Sequence, residues 1–228
     1  MKLWMRLVVF AICLFGGCTA EDHSKNNVDP DAIFFVYNIW GEEGKDDVVV
    51  MLQYLSGGST GKAIQFSEPA SVLLDGEVLY ADSTVMSGAY YEAQLPLEDF
   101  IGKHSIVFTD VNGREYKEDF QFVPVTLITD IPPVVERGNL TLQLDGVKPG
   151  DKLRVMITDT SFTTDDMNQV FIVDDNTINI QKQQLQNIAS GPVTLQIFKE
   201  EELPIENGTR KGGRISITYG LTREFDLK

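Results

Sequence analysis

The stretch Leu140-Thr141-Leu142-Gln143-Leu144 alternates apolar and polar side chains at every position. A second stretch, Leu153-Arg154-Val155-Met156-Ile157, again places β-branched or leucine side chains at every other position. Successive side chains of a β-strand point to opposite faces of a sheet, so this alternation predicts strands with one buried and one solvated face. The 3.6-residue apolar period of a long helix is missing. The sequence therefore predicts an all-β protein made of packed sheets.

Strand patterns of a different kind fill the first half of the chain. Ile33–Trp40 and Val48–Leu55 are apolar at nearly every position, which is typical of strands buried on both faces or lying at an interface. Shorter strand-length runs flank Asp75-Gly76 and Asn112-Gly113, two dipeptides that favour tight hairpin turns. The first half is thus predicted to contain hairpins joined by short loops.

The two halves of the chain resemble each other. Leu97–Gly102 precedes one apolar strand, and Leu185–Gly191 precedes another, with similar spacing of their apolar residues. A strand pair follows in each half, and its last strand ends in a similar sequence. These ends are Glu118–Phe122 in one half and Arg223–Leu227 in the other. We interpret this repeat as an internal duplication of a unit of about 100 residues.

The strand pattern restarts after Val123-Pro124, which predicts a boundary between two units, residues 33–123 and 124–228. About seven short strands per unit, with turns every 8–12 residues, are typical of an immunoglobulin-like sandwich. The chain is similar in architecture to tandem bacterial immunoglobulin-like modules. The Cys…Trp…Cys core of antibody domains is absent.

The amino terminus has the three parts of a secretory signal peptide. Lys2 and Arg6 form a basic start, an apolar run extends from Leu7 to Phe15, and small residues precede Cys18. Gly16-Gly17-Cys18 resembles the lipobox of bacterial lipoproteins, in which cleavage leaves a lipidated cysteine at the new amino terminus. The resemblance implies a signal peptide over residues 1–17, lipidation of Cys18 and a polar tether over residues 18–32. Glu21-Asp22 resembles the acidic signal that accompanies surface export in Bacteroidota-type outer-membrane lipoproteins.

Charge and cysteine content limit the classes of function. The chain has 34 acidic and 19 basic residues, and loss of Lys2 and Arg6 with the signal would leave a net charge of −17. Such a field repels nucleic acid, and it serves solubility or attracts a cationic partner. Cys13 would leave with the signal and Cys18 would carry the lipid, so we expect no thiol to be available for a disulfide, a metal or a nucleophile.

No catalytic motif accompanies the two histidines, His23 and His104. A Gly-x-Ser-x-Gly nucleophile motif is absent, and no glycine-rich loop precedes a predicted helix. We therefore expect the protein not to be an enzyme.

Calcium is the cofactor that best suits the carboxylates of the second unit, because it takes oxygen ligands from loops. The spacing lacks the Asp-x-Asp-x-Asp-Gly pattern, and aspartate is also an ordinary turn residue. We expect no cofactor, with calcium as the alternative. The candidate ligands are Asp159, Asp165, Asp166, Asp174 and Asp175.

Two surfaces are candidates for binding. Trp40, Tyr90 and Tyr91 could bind a glycan if they are exposed, and adjacent Tyr90 and Tyr91 must point to opposite faces of a strand. The second surface is the hairpin from Lys199 to Arg214, in which an acidic arm and a basic arm flank Asn207-Gly208. We expect the two arms to face each other, with the hairpin at the end far from the membrane.

The hairpin is the predicted site for a protein partner. Leu203 and Ile205 are expected to be exposed apolar residues, and Arg210 and Lys211 supply charge around them. The alternative is a long solvated hairpin with no partner.

Together these features predict a lipid-anchored outer-membrane protein, surface-exposed or periplasmic. Its expected role is a non-catalytic binding, adhesion or assembly module for a protein of the cell envelope. The alternatives are a glycan-binding accessory lipoprotein of a polysaccharide-uptake system and a fimbrial-type structural subunit. The absence of arginine between Cys18 and Gly113 counts against a fimbrial subunit, because such subunits are often cleaved after an early basic residue.

Overall fold

The computed structural model describes residues 28–161 and 166–228. These residues form β-strands with two short 3-10 helices, Pro30–Ala32 and Lys182–Leu185, which confirms the all-β prediction. Among the described residues, no helix is long and apolar enough to cross a lipid bilayer. The signal peptide, Cys18, Glu21-Asp22 and His23 lie outside the described residues.

Seventeen strands are described. In the first half they are β1 (Ile33–Glu42), β2 (Asp47–Ser56), β3 (Lys62–Ala63), β4 (Ser71–Leu74), β5 (Glu77–Leu79), β6 (Ala81–Thr84), β7 (Gly88–Pro96), β8 (Gly102–Thr109) and β9 (Glu115–Phe122). In the second half they are β10 (Thr126–Leu127), β11 (Val134–Val135), β12 (Leu140–Asp145), β13 (Lys152–Asp159), β14 (Met167–Ile172), β15 (Thr177–Ile180), β16 (Gly191–Pro204) and β17 (Gly213–Leu227).

The strands form one large and two small sheets. The main sheet has the order β14-β13-β16-β17-β1-β2-β7-β6, with β11 paired to β17 and β3 to β2. The first small sheet has the order β5-β4-β8-β9, and the second has the order β10-β12-β15. Each small sheet packs on a different part of the main sheet, which gives two sandwiches on one shared sheet.

Burial follows the alternation seen in the sequence. Leu142 and Leu144 of β12 are buried between exposed Thr141 and Gln143. The predicted strands of the second half are therefore confirmed. The core of the first sandwich is aromatic, and the ring of Phe35 lies 5.6 Å from that of Phe108 in an edge-to-face contact.

The long hairpin of β16 and β17 belongs to both sandwiches. It pairs over its whole length, from Gly191 opposite Leu227 to Pro204 opposite Arg214. The first half of β17 also pairs in parallel with β1, from Phe35 beside Gly213 to Glu42 beside Gly220. Strand β1 thus has paired neighbours at both edges, and its outer face is partly covered, since Val36 is 5% exposed and Trp40 is 57% exposed. The boundary predicted after Val123 thus falls between the two small sheets, while the main sheet continues across it.

The corner predicted to recur is present in both halves. Phe100 and Ile188 are buried at equivalent points, and Gly102 and Gly191 start the next strand with φ values of 129° and 124°. These values suit glycine because a Cβ atom is strained there. The hairpins that follow differ, since β8–β9 joins a small sheet whereas β16–β17 joins the main sheet.

Both predicted turns occur at hairpins. Asp75 and Gly76 have φ values of 51° and 89° in a two-residue turn between β4 and β5. The turn at Asn112-Gly113 is longer, because the Oδ1 atom of buried Asp110 accepts the backbone N–H groups of Asn112 and Arg114 at 2.8 Å and 3.0 Å. The Asp110 carboxylate therefore stabilises this turn in addition to its backbone hydrogen bonds.

Candidate interaction surface

The hairpin residues predicted to bind a partner are divided between solvent and core. Leu203 is 46% exposed, as expected for a contact residue. Ile205 is only 8% exposed, so the prediction that it is exposed is wrong. The physical reason is that the end of the hairpin lies against the first sandwich, and Ile205 packs into the core there.

Glu118 of β9 holds this end of the hairpin. Its Oε2 atom accepts the backbone N–H of Glu206 at 3.0 Å and that of Asn207 at 3.4 Å. Glu118 is buried, with only 7% of its surface exposed. Burial raises the pKa of the Glu118 carboxyl, and the two N–H donors offset part of that effect by stabilising the carboxylate. No local sequence pattern indicates this contact, because the partners are backbone groups far away in the chain.

The tip of the hairpin lies beside the start of β1. The Thr209 hydroxyl donates to the carbonyl of Ile33, and the Arg210 guanidinium lies 2.9 Å from the Asp31 carboxylate. The described chain begins at this same end, so the expectation that an anchor at the start of the chain leaves the hairpin at the far end of the molecule is wrong. Lys211 is exposed at the tip.

The two arms of the hairpin do not pair acid against base. Glu201 lies opposite Ile217, and Glu202 lies opposite Ser216. The predicted facing of the arms is wrong, because the register places the basic residues in the tip. Across the two arms, the Glu202 carboxylate accepts the Ser216 hydroxyl at 3.3 Å and lies 3.9 Å from the Arg214 guanidinium.

A cleft of about 520 Å³ lies between the two small sheets, above the hairpin. Leu203, Ile215, Ile217 and Tyr219 form its apolar floor, which we call the cleft floor. One wall is β9, from Glu118 to Gln121, and the other is the loop from Asp145 to Lys148. This volume is within the range of ordinary ligand sites.

The wall made by β9 is a free strand edge. Strand β9 ends the first small sheet and pairs with β8 alone among the described strands. The Asp110 N–H donates to the Arg114 carbonyl, and the alternation of an antiparallel ladder then directs the even-numbered backbone groups of β9 towards β8. The N–H and C=O groups of Lys117, Asp119 and Gln121 consequently point away from β8, along the free edge.

The rim of the cleft carries more acidic than basic side chains. Asp119, Asp145 and Glu201 stand beside Lys148 and Lys199. The Lys199 ammonium is already engaged, at 3.1 Å from the Asp151 carboxylate and 3.0 Å from the Gly146 carbonyl. The rim is thus better suited to a basic than to an acidic partner.

The aromatic residues considered for glycan binding occupy both faces of the main sheet. Tyr91 is 4% exposed, and its hydroxyl accepts the Phe66 N–H at 2.9 Å. Tyr91 therefore cannot contact a glycan, and that candidate is wrong. Trp40 is 57% exposed, and Tyr90 lies on the same outer face with its hydroxyl 3.3 Å from Asp82.

His104 serves the fold in this structure. Its ring stacks on Phe100 at 3.8 Å, Nε2 donates to the Phe100 carbonyl at 2.8 Å, and Nδ1 lies 2.7 Å from the Asp75 carboxylate. Both ring nitrogens are engaged by the protein, so neither points towards a substrate.

The aspartates considered for calcium are spread over separate turns. The Asp159 carboxylate accepts N–H groups from Ser161 and Ala189. Asp174 and Asp175 lie in the turn between β14 and β15, where the Thr177 hydroxyl donates to the Asp174 carbonyl at 2.8 Å. In the described parts of the chain, no group of three or more His, Cys, Asp or Glu side chains is arranged to hold a metal ion. Asp165 lies outside the described residues.

Comparisons with known proteins give distant structural likenesses. No protein-family model and no curated protein sequence matches the chain. The chain is similar to the crystal structure of DIP-gamma IG1+IG2, at 10% identity and a TM-score of 0.23, over 85% of this chain and 94% of that one. It is also similar to the Yersinia pseudotuberculosis adhesin InvE, at 17% identity and a TM-score of 0.23, over 86% and 61% of the two chains. A third likeness is to the Bacteroides ovatus mixed-linkage glucan utilization locus SGBP-B in complex with a mixed-linkage heptasaccharide, at 11% identity and a TM-score of 0.22, over 87% and 60%.

Proposed function

We propose that this chain is a non-catalytic binding module of the bacterial cell envelope, anchored to the outer membrane through lipidated Cys18. Its partner in this proposal is an extended segment of another envelope protein, bound in the cleft between the small sheets. The observation that carries the proposal is the free edge of β9 beside the cleft floor, in which Leu203 is exposed and the other three residues are buried. The signal-peptide pattern supports the anchor.

Binding would proceed by strand addition to β9. Backbone N–H and C=O groups of Lys117, Asp119 and Gln121 would pair with the incoming segment, which gives affinity without regard to its sequence. Every second side chain of that segment would then point to the cleft floor, where Leu203 is the most exposed apolar residue. Apolar residues at alternate positions and a basic residue near the rim would therefore mark a suitable partner.

The test is selection of short random peptides displayed on phage against the purified protein. We expect selected peptides to alternate apolar and polar residues, and Leu203→Asp to weaken their binding at least tenfold. Ile172→Asp is the control, because Ile172 is also an exposed apolar residue, at 67%, and lies on β14 at the far edge of the main sheet.

Amide hydrogen exchange gives a second, more specific readout. A bound peptide should protect the amides of Lys117, Asp119 and Gln121, whereas those of Tyr116 and Phe120 are already bonded to β8 and should change little. A failure to select any peptide, or binding that protects none of the three odd-numbered amides, would contradict strand addition.

A second candidate function is glycan binding on the outer face of the main sheet. The observation that favours it is the exposure of Trp40 on the face that also carries Tyr90. Aromatic rings of this kind stack on sugar faces when they are solvent-accessible. Loss of polysaccharide retention in Trp40→Ala, with Leu203→Asp unaffected, would favour this candidate over the cleft.

A further inference from the structure

Five segments meet at the end of the first sandwich where the described chain begins. We call this the proximal end, and its segments are residues 28–32, 57–61, 85–87, 110–114 and 205–212. The strand registers bring them together, since Ile33 lies beside Ser56 and Phe35 beside Gly213. The turn between β6 and β7 belongs here too, because β7 runs antiparallel to β2 and begins next to the end of β2.

This turn presents two adjacent apolar side chains to solvent. Val85 and Met86 are 105% and 97% exposed, the highest values among the large apolar residues that are described. The turn is held in a fixed shape, because the Thr84 hydroxyl accepts the Ser87 N–H at 2.9 Å and the Gln53 amide donates to the Ser87 carbonyl at 2.8 Å. Two neighbouring apolar side chains at a rigid tip are unfavourable in water and indicate a surface that is covered in use.

The position of the tip identifies what covers it. Nine residues lie between Cys18 and Val28, and the ten residue-to-residue steps span roughly 36 Å at most when fully extended. A lipid on Cys18 would therefore keep the proximal end within that distance of the bilayer. Lys62 and Lys211 are exposed at the same end and can meet lipid phosphates.

We propose that Val85 and Met86 insert into the lipid bilayer beside the anchor, so that the proximal end rests on the membrane. This proposal depends on the lipid anchor of the proposed function. Insertion transfers both side chains from water to an apolar medium, whereas the lysines remain among the headgroups.

The experiment uses the full-length lipidated protein carrying Met86→Cys, labelled with an environment-sensitive fluorophore. Cys18 would be blocked by its lipid and Cys13 would leave with the signal, so the new thiol would be the only one available for labelling. The protein is reconstituted into vesicles of phosphatidylethanolamine and phosphatidylglycerol with brominated acyl chains. We expect the bromine atoms to quench the label at position 86 at least twofold more than a label placed by Ile172→Cys.

Mass spectrometry of Cys18 separates this proposal from the proposed function. If Cys18 carries no acyl group in the native host, the anchor fails and the membrane contact fails with it. If Cys18 is acylated but the label at position 86 is quenched no more than the label at position 172, the insertion proposal is overturned while the anchor remains. Strong quenching at position 86 that falls when Val85→Ser is added supports insertion by the two side chains together.

Discussion

Glu118 is a buried acidic residue that joins the end of the long hairpin to the first sandwich. Its carboxylate accepts two backbone N–H groups from Glu206 and Asn207. We expect Glu118→Ala to lower the free energy of unfolding by about 1–3 kcal/mol, since hydrogen bonds to charged groups contribute that much and the donors lose their acceptor. Urea denaturation at pH 7 measures the change.

The same residue predicts a dependence of stability on pH. Burial raises the pKa of Glu118 above its ordinary value of 4.5, so between 4.5 and the raised value the folded state keeps a proton that the unfolded state has lost. Stability contributed by this group therefore falls as pH rises through that window and is constant above it. The Glu118→Gln variant lacks the titrating carboxyl and therefore this pH dependence. The stability of the variant relative to the wild type should increase as pH rises from about 4.5. If the free energies of unfolding of the two proteins change with pH in parallel, Glu118 is not the group responsible for the dependence.

For single residues, the sequence predicts which face of a strand a side chain occupies better than it predicts which distant residues that side chain contacts. The opposite orientations of Tyr90 and Tyr91 follow from the alternation of side chains along a strand, and the structure confirms them. The burial of Ile205 does not follow from any local pattern, because it depends on how the hairpin lies against another part of the chain. Glu118 was missed for the same reason, since its partners are backbone groups 88 and 89 residues away.

Strand β17 starts at a glycine that allows it to approach β1 closely. A Cβ atom on Gly213 would lie 2.7 Å from both the Cβ and the carbonyl oxygen of Phe35. We expect Gly213→Ala to cost about 1–3 kcal/mol, because the backbones of β1 and β17 must move apart.

The matched control for this prediction is Gly208→Ala in the same hairpin. A Cβ atom there would meet its nearest neighbours at 3.4 Å, an ordinary contact distance. We expect the control to change stability by less than about 0.5 kcal/mol. Urea denaturation measures both changes. Equal losses of stability in the two variants would show that β1 and β17 do not require glycine at position 213.

The elements themselves were predictable, whereas their partners were not. Alternation at Leu140–Leu144 and the turn at Asp75-Gly76 depend on neighbouring residues, and both are confirmed. The parallel pairing of β1 with β17 joins the two ends of the described chain, and the alternation of β17 would suit either sandwich equally well. Only the unusually apolar character of Ile33–Trp40 indicated that this strand had neighbours beyond its own hairpin.

For the whole molecule, the shared hairpin predicts cooperative unfolding. If residues 33–123 and 124–228 separated from each other, one edge of β1 would be unpaired. The half of β17 that covers this edge would then be exposed. We therefore expect the protein to unfold in one thermal transition, with equal calorimetric and van't Hoff enthalpies. A boundary after Val123 can still describe an evolutionary unit if it does not describe a folding unit.

The contrary result is equally clear. Two resolved transitions, with residues 124–228 melting by themselves at one of the two temperatures, would make the units independent domains. A further check is co-expression of residues 28–123 with residues 124–228. We expect the two pieces to co-purify as a stable pair, because β17 supplies the missing neighbour of β1.

The parallel pairing of β1 with β17 also sets the order of events when the protein is made. Strand β1 is synthesised before the other described strands and its neighbour β17 after them, so the first sandwich stays incomplete until the last described strand has left the ribosome. Contacts between such distant segments form slowly, because a long loop must close before they can contribute. A chain with this topology therefore stays unfolded for longer than a chain of two separate sandwiches would.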